Sequence, residues 1–369
     1  MNKKFWATTF TLSGTIIGAG ILGLPYIFAQ SGYLVGLSWL VALTAIMLYV
    51  NLILAETTLR TKGAHQLTGY AKKYLGKRGE HLMLLAVVFG IYSALLAYLI
   101  GEGNSLSAIF PGNIPPILFT IIFWLVITTL LQKGMKELKQ IETWGVTTII
   151  IIIICIFIIY LPQIQLDNLT TYNPHATTLP IGVIMFALLG FSSIPELRRE
   201  IKGQESLLRN AIIIGTLIPS VLYIIFTATF VGTLGSEVAQ IATISFGPLV
   251  TLLGIFTMFT SYFVLSFSLQ ATYKLDLKLP PKTIFILTSI LPFFLYLIVT
   301  QLNLATFTTI LGIGGVISGG ITGILILLIA YKAKKTTKQN SNINLPLPLP
   351  LIILISLLFI IAIILELTH

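Results

Sequence analysis

Ser13-Gly14-Thr15-Ile16-Ile17-Gly18-Ala19-Gly20-Ile21-Leu22-Gly23-Leu24-Pro25 is the stretch on which the reading of this chain turns. It lies inside Phe5 to Gln30, an uncharged run long enough to cross a bilayer. Glycines 14, 18 and 20 fall within seven residues, and Pro25 follows five residues later. Glycine weakens a helix interior and proline removes a backbone hydrogen bond. In hydrocarbon, freed backbone groups are tolerated only where protein or a watery cavity surrounds them. A spanning helix that comes apart at its centre therefore points to a binding site at mid-membrane depth. Two other readings of the same residues exist. Gly14-x-x-x-Gly18 fits a small-residue packing seam between membrane helices. Gly18-Ala19-Gly20-Ile21-Leu22-Gly23 spells the dinucleotide pattern GxGxxG, which requires an acid about 20 residues on. Positions 40 to 43 are Leu40, Val41, Ala42 and Leu43, and the first acid is Glu56, so the nucleotide reading is rejected.

Composition agrees with a membrane protein. Of 369 residues, 56% are hydrophobic and 9% charged, with mean hydropathy +0.97, against about a quarter charged in soluble domains. The single cysteine, Cys155, excludes a disulfide framework. His65, His81, His175 and His369 are scattered without ligand spacing, so no metal centre or cofactor is expected.

Apolar runs divide the chain into eleven segments: 5–30, 33–55, 82–101, 115–131, 143–162, 180–195, 211–233, 246–272, 283–300, 304–331 and 345–366. The net charge of +10 is distributed in one pattern over them. Lys3 and Lys4 precede the first segment; Arg60, Lys62, Lys72, Lys73, Lys77 and Arg78 follow the second. Lys133, Lys136 and Lys139 follow the fourth, and Arg198, Arg199, Lys202 and Arg209 the sixth. Lys274, Lys278 and Lys282 follow the eighth, and Lys332, Lys334, Lys335 and Lys338 the tenth. These are all 22 basic residues, and every one falls on alternate loops. By the positive-inside rule the N-terminus is cytoplasmic and the C-terminus extracytoplasmic. The opening Met1-Asn2-Lys3-Lys4 and apolar run resemble a signal peptide, but the run continues past any cleavage site to Ala29 and is kept as the first span.

Further along, Tyr70-Ala71-Lys72-Lys73-Tyr74-Leu75 reads as a short helix on the inner leaflet or as a solvated loop. Glu102 closes span three, where it is expected to reach interfacial water. Asn168-Leu169-Thr170 is a glycosylation sequon. Span six, Pro180 to Pro195, has 16 residues, about 24 Å of helix against a core of about 30 Å. It contains Gly190-Phe191-Ser192-Ser193-Ile194-Pro195, glycine, small polar residues and proline again. Interrupted segments at corresponding places in two halves mark a transporter site. Span six comes five spans after span one and runs the opposite way, so a five-plus-five inverted repeat is expected: 5–162, then 180–331, with 345–366 added. In span eight, Thr257, Thr260 and Ser261 share one helical face. They either bond back to their own helix or supply oxygens to a cation. Gly312-Ile313-Gly314-Gly315 and Gly319-Gly320 in span ten read as a packing seam.

At this point the residues resemble a known family. Gly14 to Pro25 is similar to the first-helix signature of the aromatic and hydroxy amino acid permeases, within the amino acid–polyamine–organocation superfamily. Leu189-Gly190-Phe191-Ser192-Ser193-Ile194-Pro195-Glu196 resembles the sixth-helix break of that superfamily. Thr260-Ser261-Tyr262-Phe263 with Tyr273-Lys274-Leu275-Asp276 resembles the eighth helix and its exit. The resemblance implies an all-α LeuT-type fold with helices 1 and 6 broken. It also implies ion-coupled symport of a small neutral or aromatic L-amino acid by alternating access. The main chain at Gly18, Ala19, Gly20 and Ile21 would hold the substrate carboxylate, and the carbonyl of Ile16 its amine, helped by span six around Phe186, Gly190 and Ser192. Phe186 and Phe191 would close over the substrate, faced by Tyr92. Carbonyls of Gly14 and Ile17 with Thr257, Thr260 and Ser261 would match the family's sodium site.

Two departures bear on the coupling ion. The span-five lysine of some proton-coupled members is absent, and Gly14 stands where some sodium-coupled relatives carry asparagine. Na⁺ leads H⁺ slightly; under H⁺ coupling, Glu196 and Glu102 are the proton carriers. The partners implied are an amino acid and membrane lipid, with no nucleic acid. A channel would need a continuous ring of charge or carbonyls, which is not visible. A lipid-transferring enzyme would need clustered acids, whereas the twelve here are dispersed.

Overall fold

The computed structural model describes residues 3–18, 20–63, 65–110, 112, 114–133, 138–275, 277–337 and 341–368, the side chains of 133–145 and 275 excepted. All regular structure among them is helical. Helix α1 (Lys3–Ile16) and α2 (Gly20–Ser31) form one apolar unit bent by 55° between them. The interruption falls where the glycines are densest. Pro25, by contrast, sits inside α2 and ends nothing. Next come α3 (Tyr33–Arg60) and α4 (Leu67–Ile109). Gly76, at φ 77°, kinks α4 and joins a short leading helix to the long span. Of the two readings of 70–75, helix or solvated loop, that leading part is the helix, with Tyr70 buried and Lys72 and Lys73 exposed.

Helices α5 (Pro116–Lys133), α6 (Leu138–Tyr160) and the single turn α7 (Leu166–Leu169) lead to a second interrupted unit. It consists of α8 (Pro180–Ala187) and α9 (Ile194–Glu200), with Pro195 placed harmlessly in the first turn of α9. Then follow α10 (Leu208–Leu234), α11 (Pro248–Leu275), α12 (Pro281–Phe285), α13 (Leu291–Gln301), α14 (Phe307–Gly314), α15 (Gly320–Thr336) and α16 (Leu349–Thr368). π-helical turns at Ile286–Ile290 and Gly315–Gly319 join α12 to α13 and α14 to α15. Eight helices among the described residues are long and apolar enough to cross a membrane, nine if α1 and α2 count together.

Four of the basic segments meet at one end of this bundle. Lys4 donates to the Lys202 carbonyl at 3.0 Å, and Arg198 donates to the carbonyls of Thr61 and Gly63, each at 3.1 Å. Glu56, buried at the end of α3, accepts from Arg60 at 2.8 Å, from Lys334 of α15 at 2.9 Å and from the Leu345 amide at 3.0 Å. One carboxylate thus ties α3, α15 and the lead-in to α16. Removing one member of a buried ionic group strands the rest, at about 3 kcal/mol for well-buried sets. Lys334 and Arg60 keep some solvent, so Glu56→Ala is expected to lose about 2 kcal/mol. A thermal midpoint in detergent lowered by several degrees checks it; an unchanged midpoint refutes the clamp.

At the opposite end, the 163–178 connection closes over α2 and α10. Asn173 donates through its amide nitrogen to the Gln30 carbonyl at 3.1 Å, and Trp39 donates to the Thr177 carbonyl at 2.7 Å. Asn168 of the sequon donates to the Gly232 carbonyl at 3.0 Å, so its side chain is already engaged in packing. The glycines of span ten do form a seam. A side chain at Gly315 would strike the α8 backbone, with the Phe186 nitrogen 2.6 Å away. Gly182 and Gly312 also leave room for the Glu366 carboxylate of α16, which lies against both.

Candidate functional site

The two interruptions face each other. Gly20, the first residue of α2, abuts Ala187, the last of α8: a Cβ on Gly20 would lie 2.6 Å from the Ala187 Cα. Gly190 leaves its space to Ile16 and Leu12 of α1, with Ile16 Cγ1 3.0 Å from where a Cβ would stand. Small residues at 20, 187 and 190 are what allow two main chains to approach this closely.

Polarity at this point follows from helix ends. Ile16 closes α1 and Ala187 closes α8, so both present carbonyls with no partner in their own helix, at the negative end of the dipole. Gly20 opens α2, whose first N–H groups likewise lack partners within the helix, that of Ile21 reaching back to the Gly18 carbonyl at 3.4 Å. Carbonyl ends and an amide end therefore meet within one small volume. That is the complement of a zwitterion.

Tyr223, fully buried on α10, reaches into this junction. Its hydroxyl lies 2.8 Å from the Ile16 carbonyl oxygen and 2.8 Å from that of Ala187. The Ile16 oxygen also accepts the Gly18 N–H at 2.8 Å. The carbonyl assigned to a substrate amine is thus internally partnered twice in this arrangement. From α4, buried Tyr98 brings its hydroxyl 3.4 Å from where a Gly18 Cβ would be. From sequence alone Tyr98 is only one of the polar residues of span three, and Tyr223 belongs to no motif. The available signal for Tyr223 is a phenol between Ser220 and Thr227 on one helical face, four residues after Pro219.

The other expected residues divide. Ile21 and Ile17 are buried beside the break; Ala19 lies outside the described residues. Phe186 and Phe191 are both buried, Phe186 against Gly314 and Gly315 where α14 meets its π-helical turn. Ser192 is exposed, and it is Ser193 that turns inward, donating to the Gly190 carbonyl at 2.9 Å. Tyr92 does not face the phenylalanines. Its hydroxyl is held by the Leu287 carbonyl at 2.7 Å and the Tyr273 hydroxyl at 3.0 Å, about a third of a turn round α4 from Tyr98.

In the sodium-like set, the threonine hydroxyls of α11 donate within their own helix. Thr257 donates to the Leu253 carbonyl at 2.8 Å, and Thr260 to the Phe256 carbonyl at 3.0 Å, the back-bonding alternative. Ser261 is half-buried on the same helix. The Cα of Gly14 packs against α6, with Val146 Cγ2 2.6 Å from where a Cβ would be.

The two acids differ. Glu196 stands in the first turn of α9, half-buried and engaged in a polar interaction. Glu102 corrects the sequence expectation. The helix continues two turns past the apolar run to Ile109, so Glu102 is interior and fully buried, and neither carboxylate oxygen has a hydrogen-bond partner among the described residues. It lies one turn beyond Tyr98 on the same face of α4.

Comparison with known proteins agrees with this architecture. MhsT, solved in complex with L-phenylalanine, superposes with a TM-score of 0.68 at 14% identity, covering 98% of this chain and 97% of that one. A mutant of the Eremococcus coleocola manganese transporter gives 0.69 at 15%, covering 100% and 87%. At such identities the likeness fixes the fold, which is LeuT-type. In sequence, the chain is 25% identical over 257 residues to glutamine transporter 2 of Aliivibrio fischeri, covering 66% of this chain and 65% of that protein. It is 25% identical over 236 residues to tyrosine-specific transport system 1 of Haemophilus influenzae, covering 63% and 59%. The match therefore spans about three-fifths of these relatives' lengths. A model of the tryptophan/tyrosine permease family matches residues 1–267, which contain both helix breaks, Tyr98, Glu102 and Tyr223. The chain is an integral multi-pass membrane protein and belongs to the tryptophan/tyrosine permease family, a family of permeases and not of enzymes.

Proposed function

We propose that the protein is a secondary active transporter of a small neutral or aromatic L-amino acid, working by ion-coupled symport and alternating access. The observation that carries this reading is the meeting of two carbonyl ends and one amide end at Ile16, Ala187 and Gly20. A zwitterion offers one charge to each kind of end. The family match, and relatives named for tyrosine and glutamine, support an amino acid as the cargo. In this reading the main chain at Gly18, Ala19, Gly20 and Ile21 takes the carboxylate, and Phe186 and Phe191 close the site from the span-six side.

The same proposal has eleven spans. Residues 5–162 form one five-helix repeat, 180–331 its inverted counterpart and 345–366 an addition, with the basic end of the bundle cytoplasmic. Contacts of Lys4, Arg60, Arg198 and Lys334 at one end support that orientation. For the coupling ion we infer H⁺, carried by Glu102. Thr257 and Thr260 bond to their own helix, whereas Glu102 is buried without a partner among the described residues.

Uptake of labelled tyrosine, tryptophan and glutamine into proteoliposomes, competed by each of the twenty amino acids, tests the reading. Saturable, gradient-driven accumulation is expected, unchanged when choline replaces sodium. Flux that does not saturate would make the protein a channel. Sodium-dependent uptake would return the ion site to Gly14, Ile17, Thr257, Thr260 and Ser261.

A further inference from the structure

The junction between the breaks holds three oxygens that converge on one point: the carbonyls of Ile16 and Ala187 and the Tyr223 hydroxyl. A phenol has one proton. It lies 2.8 Å from two carbonyls and can donate fully to only one of them at a time. The Gly18 N–H supplies one more donor, to Ile16 alone. Both carbonyls terminate helices, so they carry the negative end of a dipole as well. Among the described residues the two carbonyls are therefore short of donors, and they are enclosed, since Tyr223 is fully buried.

We propose that Tyr223 is a positioning residue that ties the two breaks together in the substrate-free protein and competes with the substrate's ammonium group for the same carbonyls. The inference rests on the transport reading and adds to it a residue from outside both interrupted spans. An ammonium brings three donors and a charge where the phenol brings one donor. When it arrives, the hydroxyl yields a carbonyl; when it leaves, the hydroxyl takes the carbonyl back. Tyr223 thereby lowers apparent affinity and speeds release. It also links α1 to α8 directly, so the two half-helices move as a pair while the tie holds.

The test uses the full-length protein in proteoliposomes, with L-tyrosine, L-tryptophan and L-glutamine as probes. In Tyr223→Phe the half-saturation concentration is expected to fall about fivefold, the size of one ordinary hydrogen bond, while the maximal rate also falls. Inhibition by 3-(4-hydroxyphenyl)propionate, which has no amine, should not change. A higher half-saturation concentration would mean that the hydroxyl contacts the substrate directly. An unchanged one with a lower rate would mean a structural role alone. Either result overturns the proposal. Should the phenylalanine variant fail to fold, 3,5-difluorotyrosine at Tyr223 keeps the shape and strengthens the donor, and apparent affinity should then weaken; no weakening overturns it equally. If the wild-type protein binds none of the probes or other amino acids, the transport reading fails first and this inference falls with it.

Discussion

Gly20→Leu abolishes amino-acid uptake while the protein still reaches the membrane. A Cβ at this position would stand 2.6 Å from the Ala187 Cα and 2.8 Å from its Cβ, and main chain cannot step aside as a flexible side chain can. The leucine therefore forces α2 away from α8 and separates the amide end from the carbonyl ends. Two-point recognition of a zwitterion is lost, not merely weakened. Overpacking of a tight contact costs about 1–3 kcal/mol, which an embedded helical bundle can bear, so insertion persists while transport does not. Gly20→Ala should be intermediate, with uptake reduced about tenfold or more. Gly18→Ala is the informative companion. Among the described residues its Cβ would meet the Tyr98 hydroxyl at 3.4 Å, an ordinary contact. The fold should accept it, and any loss of affinity reports that substrate approaches the main chain there. Uptake kinetics at matched membrane abundance decide the matter: near-normal transport by Gly20→Leu would remove the junction as the site.

Much of this arrangement is written in local sequence. Glycines 14, 18 and 20 weaken a helix interior, and a 16-residue span with Gly190 inside it is short of the bilayer core; both follow from backbone chemistry and span length alone. The alternation of basic loops likewise needs no three-dimensional information. What local sequence withholds is direction. Tyr92 and Tyr98 are similar residues six apart on one helix, yet one is tied to Leu287 and Tyr273 and the other turns to Gly18. Only the packing of α4 against its neighbours separates them. Hydroxyls on α11 carried two readings, and Thr257 and Thr260 took the local one because a carbonyl one turn back is always within reach. Pro25 misleads in the opposite sense, since proline in a membrane helix can be absorbed by its surroundings. Tyr223 lies far from either motif, and nothing near it in the chain announces two carbonyls.

Glu102 is where the sequence expectation fails most and where the second large effect is expected. Read as the last residue of an apolar run, it looks like an interfacial acid. In the fold it is interior, flanked by glycines whose missing side chains admit Met258 and Phe307 beside Gly101 and Thr120 beside Gly103, none of them charged. An ionised carboxylate without partners is costly in such surroundings. Acids inside membranes commonly mark proton pathways, and under the proposed coupling its place one turn from Tyr98 would put that function next to the break. Glu102→Gln keeps the shape of a protonated carboxyl and cannot release a proton. The variant is therefore expected to exchange internal for external amino acid at near wild-type rate, because neither limb of exchange requires deprotonation. Net accumulation behaves otherwise. A potential of 100 mV acting on one charge supplies about 2.3 kcal/mol, roughly a fiftyfold gradient, and in Glu102→Gln the ratio of internal to external substrate should collapse to about one. Counterflow and pH-jump uptake in the same proteoliposomes make the separation. Loss of exchange together with accumulation would mark Glu102 as structural, and full accumulation by the variant would pass the coupling to another group.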